Sequence, residues 1–418
     1  MKIIGSLMSY HYAARVSIFL VTVVLIAGMT GCENDASRQY DLTISSTEGG
    51  SVIAPGEDTF TYNKTTVVNL VAEPDHGYQF IKWTGNVGTV EDVNTASTNI
   101  TMNATCTITA VFAKEMRDWN DLNAIRNNLG GSYVLMNDLD STSADYEELA
   151  GPTANEGQGW QPVGTEDRPF TGSLYGQGHK IRDLFIDRPE ENEVGFFSFV
   201  GKGGAIENVG LVNATVTGYE CVGGLVGSNW EGIVSNSYCT GSVGRVTGYK
   251  RVGGLVGWNR NTVSKSYSAV RVTYARSVGG LVGYNTGTVS NSYSRGSADG
   301  FEYVGGLIGT IHIGGSASNC YSSTKVKYEL PPKGGLVGVN YMFLGGVTGC
   351  FWDTQTSGQN DSAGGTGKNT TEMKDMDTFS SAGWNITAVA NPVTRNPSSI
   401  WNIVDGETYP FLSWEPIS

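Results

Sequence analysis

Four histidines, His11, His76, His179 and His312, are the only imidazoles in this chain, and none stands near another, so no pair has the spacing of a zinc site. His179, in "YGQGHKI", has the chemistry of a general base, but it lies in a turn phrase where a structural or exposed role is the simpler reading. Carboxylates that would cut a polysaccharide must converge on one face; Glu220, Glu231, Asp299 and Glu302 are instead scattered, without a recurring column. "NDLDSTSADYEE" and "DTQTSGQND" are acidic, yet neither has the D-x-[DN]-x-[DN]-G order of a calcium loop, and they read as solvated loops. No serine or cysteine has a recognisable base. These residues predict no catalytic group, no metal and no cofactor. What remains is aromatic: Trp258 and Tyr284 precede an asparagine in two successive repeats, and Trp230 and Tyr341 follow it in two others. Flat rings at neighbouring positions stack on sugar faces, and the same rings would also serve as corner residues covering an edge. Tyr219, Tyr249 and Phe301 make a weaker version of this pattern.

The repeats position these rings. "GYECVGGLVGSN" (Gly218–Asn229) returns as "GYKRVGGLVGWN", "ARSVGGLVGYN", "EYVGGLIGTI" and "PKGGLVGVN", its double glycine starting at Gly223, Gly253, Gly279, Gly305 and Gly334, with a divergent earlier copy at "VGFFSFV" from Val194. Each unit carries a second phrase that ends at Tyr238, Tyr267, Tyr293, Tyr321 or Phe351. Units of this length cannot bury a core alone. Two short strands and their turns per unit predict one coil of a β-solenoid, in which equivalent residues stack about 4.8 Å apart. Leu225, Leu255, Leu281, Leu307 and Leu336 would then fill the interior, and the tyrosines would form a stack. Asn229, Asn259, Asn285 and Asn340 would share amide hydrogen bonds, with Ile311 breaking the ladder and His312 marking a small insertion. The glycines suit a positive φ or a close approach between coils. They do not suit a phosphate loop, because no copy runs from a strand into a long helix or carries the Lys-Ser/Thr pair.

Elsewhere, residues 1–31 read as a processed leader, with Lys2 and Arg15, an apolar run "VSIFLVTVVLIAG", and "MTGC" ending at Cys32. That tetrapeptide resembles the lipobox of bacterial lipoproteins, which implies a lipid on Cys32; an ordinary secretory signal or an uncleaved anchor is the alternative. Losing Lys2 and Arg15 from 27 basic residues against 40 acidic ones leaves a net charge of −15, which repels nucleic acid and anionic lipid heads, so membrane attachment would come through the N-terminal lipid. Cys106, Cys221, Cys239, Cys320 and Cys350 have no metal-type spacing; export permits disulfides, and buried free thiols are the other outcome. Residues 32–39 read as a polar tether and 40–114 as a small β-rich domain in which Trp83 and Tyr78 pack. Leu122, Ile125 and Leu129 mark a short helix, stopped by Gly130 and Gly131, that would shield the first open rung.

"GGSVIAPG", "GYQFIKWTG" and "ITMNATCTITAVF" resemble the divergent B-repeat of internalin-type bacterial surface proteins, which implies a β-grasp-like spacer. "VGGLVGxN" followed by "xVSNSYSxGxV" resembles the GLUG motif of bacterial surface proteins, of some immunoglobulin A metallopeptidases and of filamentous adhesins. The metallopeptidase members use H-E-x-x-H, which this chain lacks. The resulting expectation is an all-β chain: a leader (1–31), a tether (32–39), a B-repeat domain (40–114), an N-terminal cap with the first coils (115–193), a GLUG solenoid (194–352) and a C-terminal cap (353–418). The expected role is a non-catalytic, lipid-anchored module of the bacterial cell envelope that binds a glycan or a surface protein. A polysaccharide-processing β-helix enzyme and a purely structural envelope spacer are the alternatives.

Overall fold

The computed structural model describes residues 38–328, 330–341 and 346–417, so the leader, Cys32 and most of the tether lie outside the described residues. The first domain is built from seven strands: β1 (Gln39–Ser46), β2 (Gly50–Ala54), β3 (Thr59–Asn63), β4 (Val67–Pro74), β5 (Tyr78–Gly85), β6 (Ser97–Thr101) and β7 (Cys106–Met116). β1 lies parallel to β7, β3 and β5 pair antiparallel on either side, and β2, β4 and β6 form a second sheet. Alternating residues such as Leu42, Ile44, Leu70, Ile100 and Ile108 meet between them. Trp83 belongs to this core: it is buried and its Nε1 donates to the Thr95 carbonyl at 3.0 Å.

β7 does not stop at the domain edge. Its last residues pair in parallel with β8 (Ser132–Leu135), in register Lys114↔Tyr133 to Met116↔Leu135, so the first domain supplies the solenoid's opening rung. The helix expected there is present but shorter than the Leu122, Ile125 and Leu129 spacing predicts: α1 (Trp119–Ala124) gives way to a 3-10 turn at Ile125–Asn127, so Leu129 lies outside it; Asp118 caps α1, its carboxylate accepting the Asp121 N–H at 2.8 Å. Trp119, Leu122 and Ile125 are buried with Met116, Leu135 and Trp160, which closes the interior against water. A Lys82–Glu207 ion pair at 3.1 Å adds a second tie between domain and coils.

The coils are stacked parallel strands, as the repeats predict, but each full coil has four strands where the sequence suggests two. One coil runs through Lys250–Gly253, Val256–Asn259, Thr262–Ser264 and Tyr267–Ala275, and each strand pairs with its equivalent in the next coil. Strands of two to four residues are too short to display alternation above the turn signals around them. The leucine column is fully buried. Asn229 Nδ2 donates to Asn259 Oδ1 and Asn259 Nδ2 to Asn285 Oδ1, both at 2.8 Å, and Ile311 takes the next place in the column, as expected. Close approach, not positive φ, explains the first glycine of each pair: a Cβ on Gly253 or Gly279 would lie 2.1 or 1.9 Å from the Val256 or Val282 carbonyl oxygen. Left-handed corners fall instead on Asn236, Lys265, Asn291 and Asn319, at φ 47 to 50°, inside the phrase that ends at tyrosine, and on Cys221, Arg251 and Tyr303, at φ 51 to 58°, just before the double glycine.

The tyrosine stack is present, with centroids of Tyr238, Tyr267, Tyr293 and Tyr321 4.8 to 4.9 Å apart and planes within 7° of parallel. It points away from the interior, and residues beyond Asn369 fold back along it: Met373, Phe379, Trp384, Trp401 and Leu412 bury it, and Trp414 reaches Tyr238 at 6.2 Å. End closure falls to the preceding stretch, where Thr366–Lys368 adds a last strand and Trp352 Nε1 donates to the Gln359 carbonyl at 3.1 Å. Cys106, Cys221, Cys239, Cys320 and Cys350 are buried free thiols.

Candidate functional site

The strands Val226–Asn229, Val256–Asn259, Val282–Asn285, Ile308–Ile311 and Val337–Asn340 form one face of the solenoid. Their third residues are in register: Ser228, Trp258, Tyr284, Thr310 and Val339. Trp258 and Tyr284 are partly exposed in this column and Ser228 and Thr310 are 2% exposed, while the asparagine that follows at each of the first three rungs is fully buried. Trp230, His312 and Tyr341 follow the asparagine position directly, at the turn. The two columns interleave into one strip: Phe199 to Trp230 at 5.6 Å, Trp230 to Trp258 at 5.6 Å, Trp258 to Tyr284 at 5.9 Å, Tyr284 to His312 at 5.7 Å and His312 to Tyr341 at 5.4 Å. All four aromatic candidates from the sequence, Trp230, Trp258, Tyr284 and Tyr341, are therefore neighbours in one line. Phe199 and His312 were missed as members. Phe199 sits in a copy too diverged to align by its glycines, and His312 follows Ile311, where the loop to Ser316 holds two more residues than the loop from Asn285 to Thr288.

Two arginines lie on the strip. Arg251 sits 4.5 Å from the Trp258 centroid and 4.8 Å from Tyr284; Arg260 sits 3.1 Å from Trp230 and 5.2 Å from Trp258. Glu220 accepts from Arg251 at 2.9 Å and from Lys250 at 3.0 Å, and Arg276 pairs with Glu302 at 2.7 Å, so each of these three cations has a carboxylate partner. At its downstream end the strip opens into a cavity of about 230 Å³ between Tyr284, His312, Tyr341 and Tyr303, with Ser277 and Thr310 at its floor, their hydroxyls 2.7 Å apart. Tyr341 is 41% exposed, Trp230, Trp258, Tyr284 and His312 are half-buried, and Phe199 at the upstream end is buried at 5% exposure. The arrangement offers π-faces, hydroxyls and cations in a line, which is recognition chemistry.

The remaining candidates do not converge. His179 faces Asp138 at 3.4 Å, with Arg182 on the same carboxylate at 3.6 Å. Glu220 and Glu302 are held by the cations above, and no group of three or more metal-ligating side chains occurs among the described residues. Tyr219 and Tyr249 stack at 5.4 Å, 43% and 56% exposed, as a shorter second ladder.

Among known proteins, residues 40–116 match the divergent InlB B-repeat domain, and residues 218–244 and 274–298 match the GLUG motif. Halomucin of Haloquadratum walsbyi is 41% identical over 129 residues, 29% of this chain and 1% of that protein. A protein of Evansella cellulosilytica assigned as a Gly-rich membrane protein is 35% identical over 120 residues, 28% of this chain and 13% of that protein. The chain thus spans only a small part of the curated relatives it matches. Among solved structures, a Bacteroides ovatus protein assigned as an immunoglobulin A1 protease is similar with a TM-score of 0.49 and 19% identity, over 73% of this chain and 93% of that one. A second, an IgA1 protease, is similar with a TM-score of 0.39 and 16% identity, over 74% of this chain and 25% of that one. In family terms, the chain carries a divergent InlB B-repeat domain followed by GLUG-motif coils.

Proposed function

We propose that this protein is a non-catalytic recognition module of the bacterial cell surface, held to the envelope by a lipid on Cys32, and that the aromatic strip is its ligand-binding face. The observation that carries this reading is the continuous run of six rings from Phe199 to Tyr341, which spans successive coils and ends in an open cavity. Rings at rung spacing match a polymer better than a small metabolite, and neutral sugar rings stack on such faces without needing free charge. The membrane name of the Evansella cellulosilytica relative supports the location, as do the B-repeat and GLUG families. A structural spacer is the second reading, favoured by the arginines that already cover Trp230 and Trp258. Binding of the full chain to a panel of glycans and matrix proteins, followed by tryptophan fluorescence, separates them. Saturable binding that shifts the emission of Trp230 and Trp258 supports recognition; no binding across the panel supports the spacer.

A further inference from the structure

A second cavity, of about 450 Å³, lies on a different face of the molecule, between the tyrosine stack and the segment folded over it. Three cations line it: Arg295 from the coils, Lys374 and Arg395 from the covering segment. Arg295 stands in a column that reads Arg182, Val212, Thr240, Ala269, Arg295 and Ser323 through successive coils, with small side chains at the rungs directly around it. A guanidinium between the small side chains of Ala269 and Ser323 is not what stacking alone requires. Its placement there is costly, because Arg295 is drawn under the covering segment and its Nε is buried with no hydrogen-bond partner.

The cavity's cations are paired less closely than Lys250, Arg251 and Arg276 beside the aromatic strip. Unlike Lys250, Arg251 and Arg276, none of these three cations has a carboxylate within 4 Å among the described residues. Arg295 donates to Tyr321 Oη at 2.7 Å and to the Pro410 carbonyl at 3.3 Å; Arg395 donates to main-chain carbonyls, including that of Glu415 at 3.2 Å. Two carboxylates share the lining. Glu415 has both oxygens engaged, one by the Tyr293 hydroxyl at 2.5 Å and the other by the Leu412 N–H at 3.1 Å, and Glu407 is exposed at the mouth. Two aromatic rings share the lining: Phe411, 7% exposed with Arg395 over its ring at 4.6 Å, and Tyr409, which lies parallel to Tyr321 at 6.1 Å. The lining thus holds three cations against two carboxylates, a local excess of one positive charge in a chain of net charge −13, even with Glu415 drawn toward Arg295 and Arg395, and that excess favours an anion.

We propose that this cavity binds an acidic saccharide unit, whose carboxylate or sulfate group is held by Arg295, Lys374 and Arg395 while its ring lies against Tyr409 and Phe411. The site is independent of the aromatic strip, so it stands or falls separately from the function proposed above. Calorimetric titration of the full chain tests it with four probes: an oligogalacturonate, its fully methyl-esterified form, a sulfated neutral oligosaccharide and inorganic sulfate. The expected result is binding of the oligogalacturonate or the sulfated oligosaccharide, whichever supplies the anion, and none of the ester. Lys374→Glu should weaken that binding by about tenfold or more, as loss of one charge-assisted contact implies. Glu407→Gln should tighten it, and Trp258→Ala/Tyr284→Ala should leave it unchanged. Lys374 is only half-buried, so the variant is expected to keep the wild-type thermal midpoint. The proposal is overturned if neither acidic oligosaccharide binds, if the ester or inorganic sulfate binds as tightly, or if folded Lys374→Glu and Glu407→Gln proteins bind like the wild type.

Discussion

At the scale of single residues, the polar columns carry the most specific claims. Asn259 accepts from Asn229 and donates to Asn285, Asn261 and Thr288, in a fully buried position, so removing its amide breaks both ladder hydrogen bonds and two more to main-chain carbonyls. Asn259→Ala is expected to destabilise the protein by about 2–4 kcal/mol in denaturant unfolding, more than a single exposed hydrogen bond would give. The thiols make a second test. Burial pushes the Cys221 thiol up to about 11 and that of Cys239 up to about 12, and all five described cysteines are enclosed. The folded protein should therefore leave these five unmodified by a thiolate-selective alkylating reagent at neutral pH, and all five should react after unfolding. Rapid labelling of any of them in the native state would contradict the packing. The leucine, asparagine and tyrosine columns were legible in the sequence because identical side chains recur at coil spacing. The arginines on the strip were not, since Arg251 and Arg260 occur once each and only coil stacking brings them over Trp258 and Trp230.

At the scale of elements, the glycine pairs and the covering segment set the architecture. A Cβ on Gly279 would sit 1.9 Å from the Val282 carbonyl oxygen, which is backbone and has little room to move. Gly279→Ala should cost about 2–3 kcal/mol, the upper range of overpacking, whereas Gly77→Ala, with open space around it, should be limited to the strain of its positive φ. Asp353 anchors the covering segment, accepting from Thr356 and Thr370 hydroxyls at 2.9 and 2.7 Å and from the Tyr409 hydroxyl at 2.5 Å. Burial alone would raise its pKa, but the Tyr409 hydroxyl, the Thr356 N–H and the threonine hydroxyls outweigh it and hold the carboxyl below the ordinary value. A depressed folded pKa contributes stability above the unfolded value, lost as pH falls through the folded one. The melting temperature should therefore drop below about pH 4, and Asp353→Asn should start lower at neutral pH and lose part of that acid sensitivity. The fourfold strand count per coil was hidden from the sequence because two-residue strands such as Val278–Gly279 have no periodicity to read. The lateral path of the C-terminal segment was hidden because nothing in its irregular sequence says which face it covers.

At the scale of the whole molecule, the opening rung is shared. The last strand of the B-repeat domain pairs with the first strand of the coils, so the two parts form one continuous sheet. Met116 and Trp119 occupy the same core cluster as the coil leucines, and the sequence boundary at residue 114 falls inside a strand. The composition and the repeats made the all-β solenoid legible; the seam was not, because a strand that ends one domain and begins another reads as a boundary. The strip's four named rings were legible for the same reason as the columns, while their union with Phe199 and His312 depends on register between coils. That union is the central claim, and equilibrium binding of the Trp258→Ala/Tyr284→Ala variant is its most direct measurement, made with the polymer that wild-type full chain binds. The account expects an unchanged far-ultraviolet spectrum and cooperative melting, with affinity lowered by about tenfold or more for the loss of two stacked rings. A folded variant that binds that polymer as tightly as the wild type would contradict it.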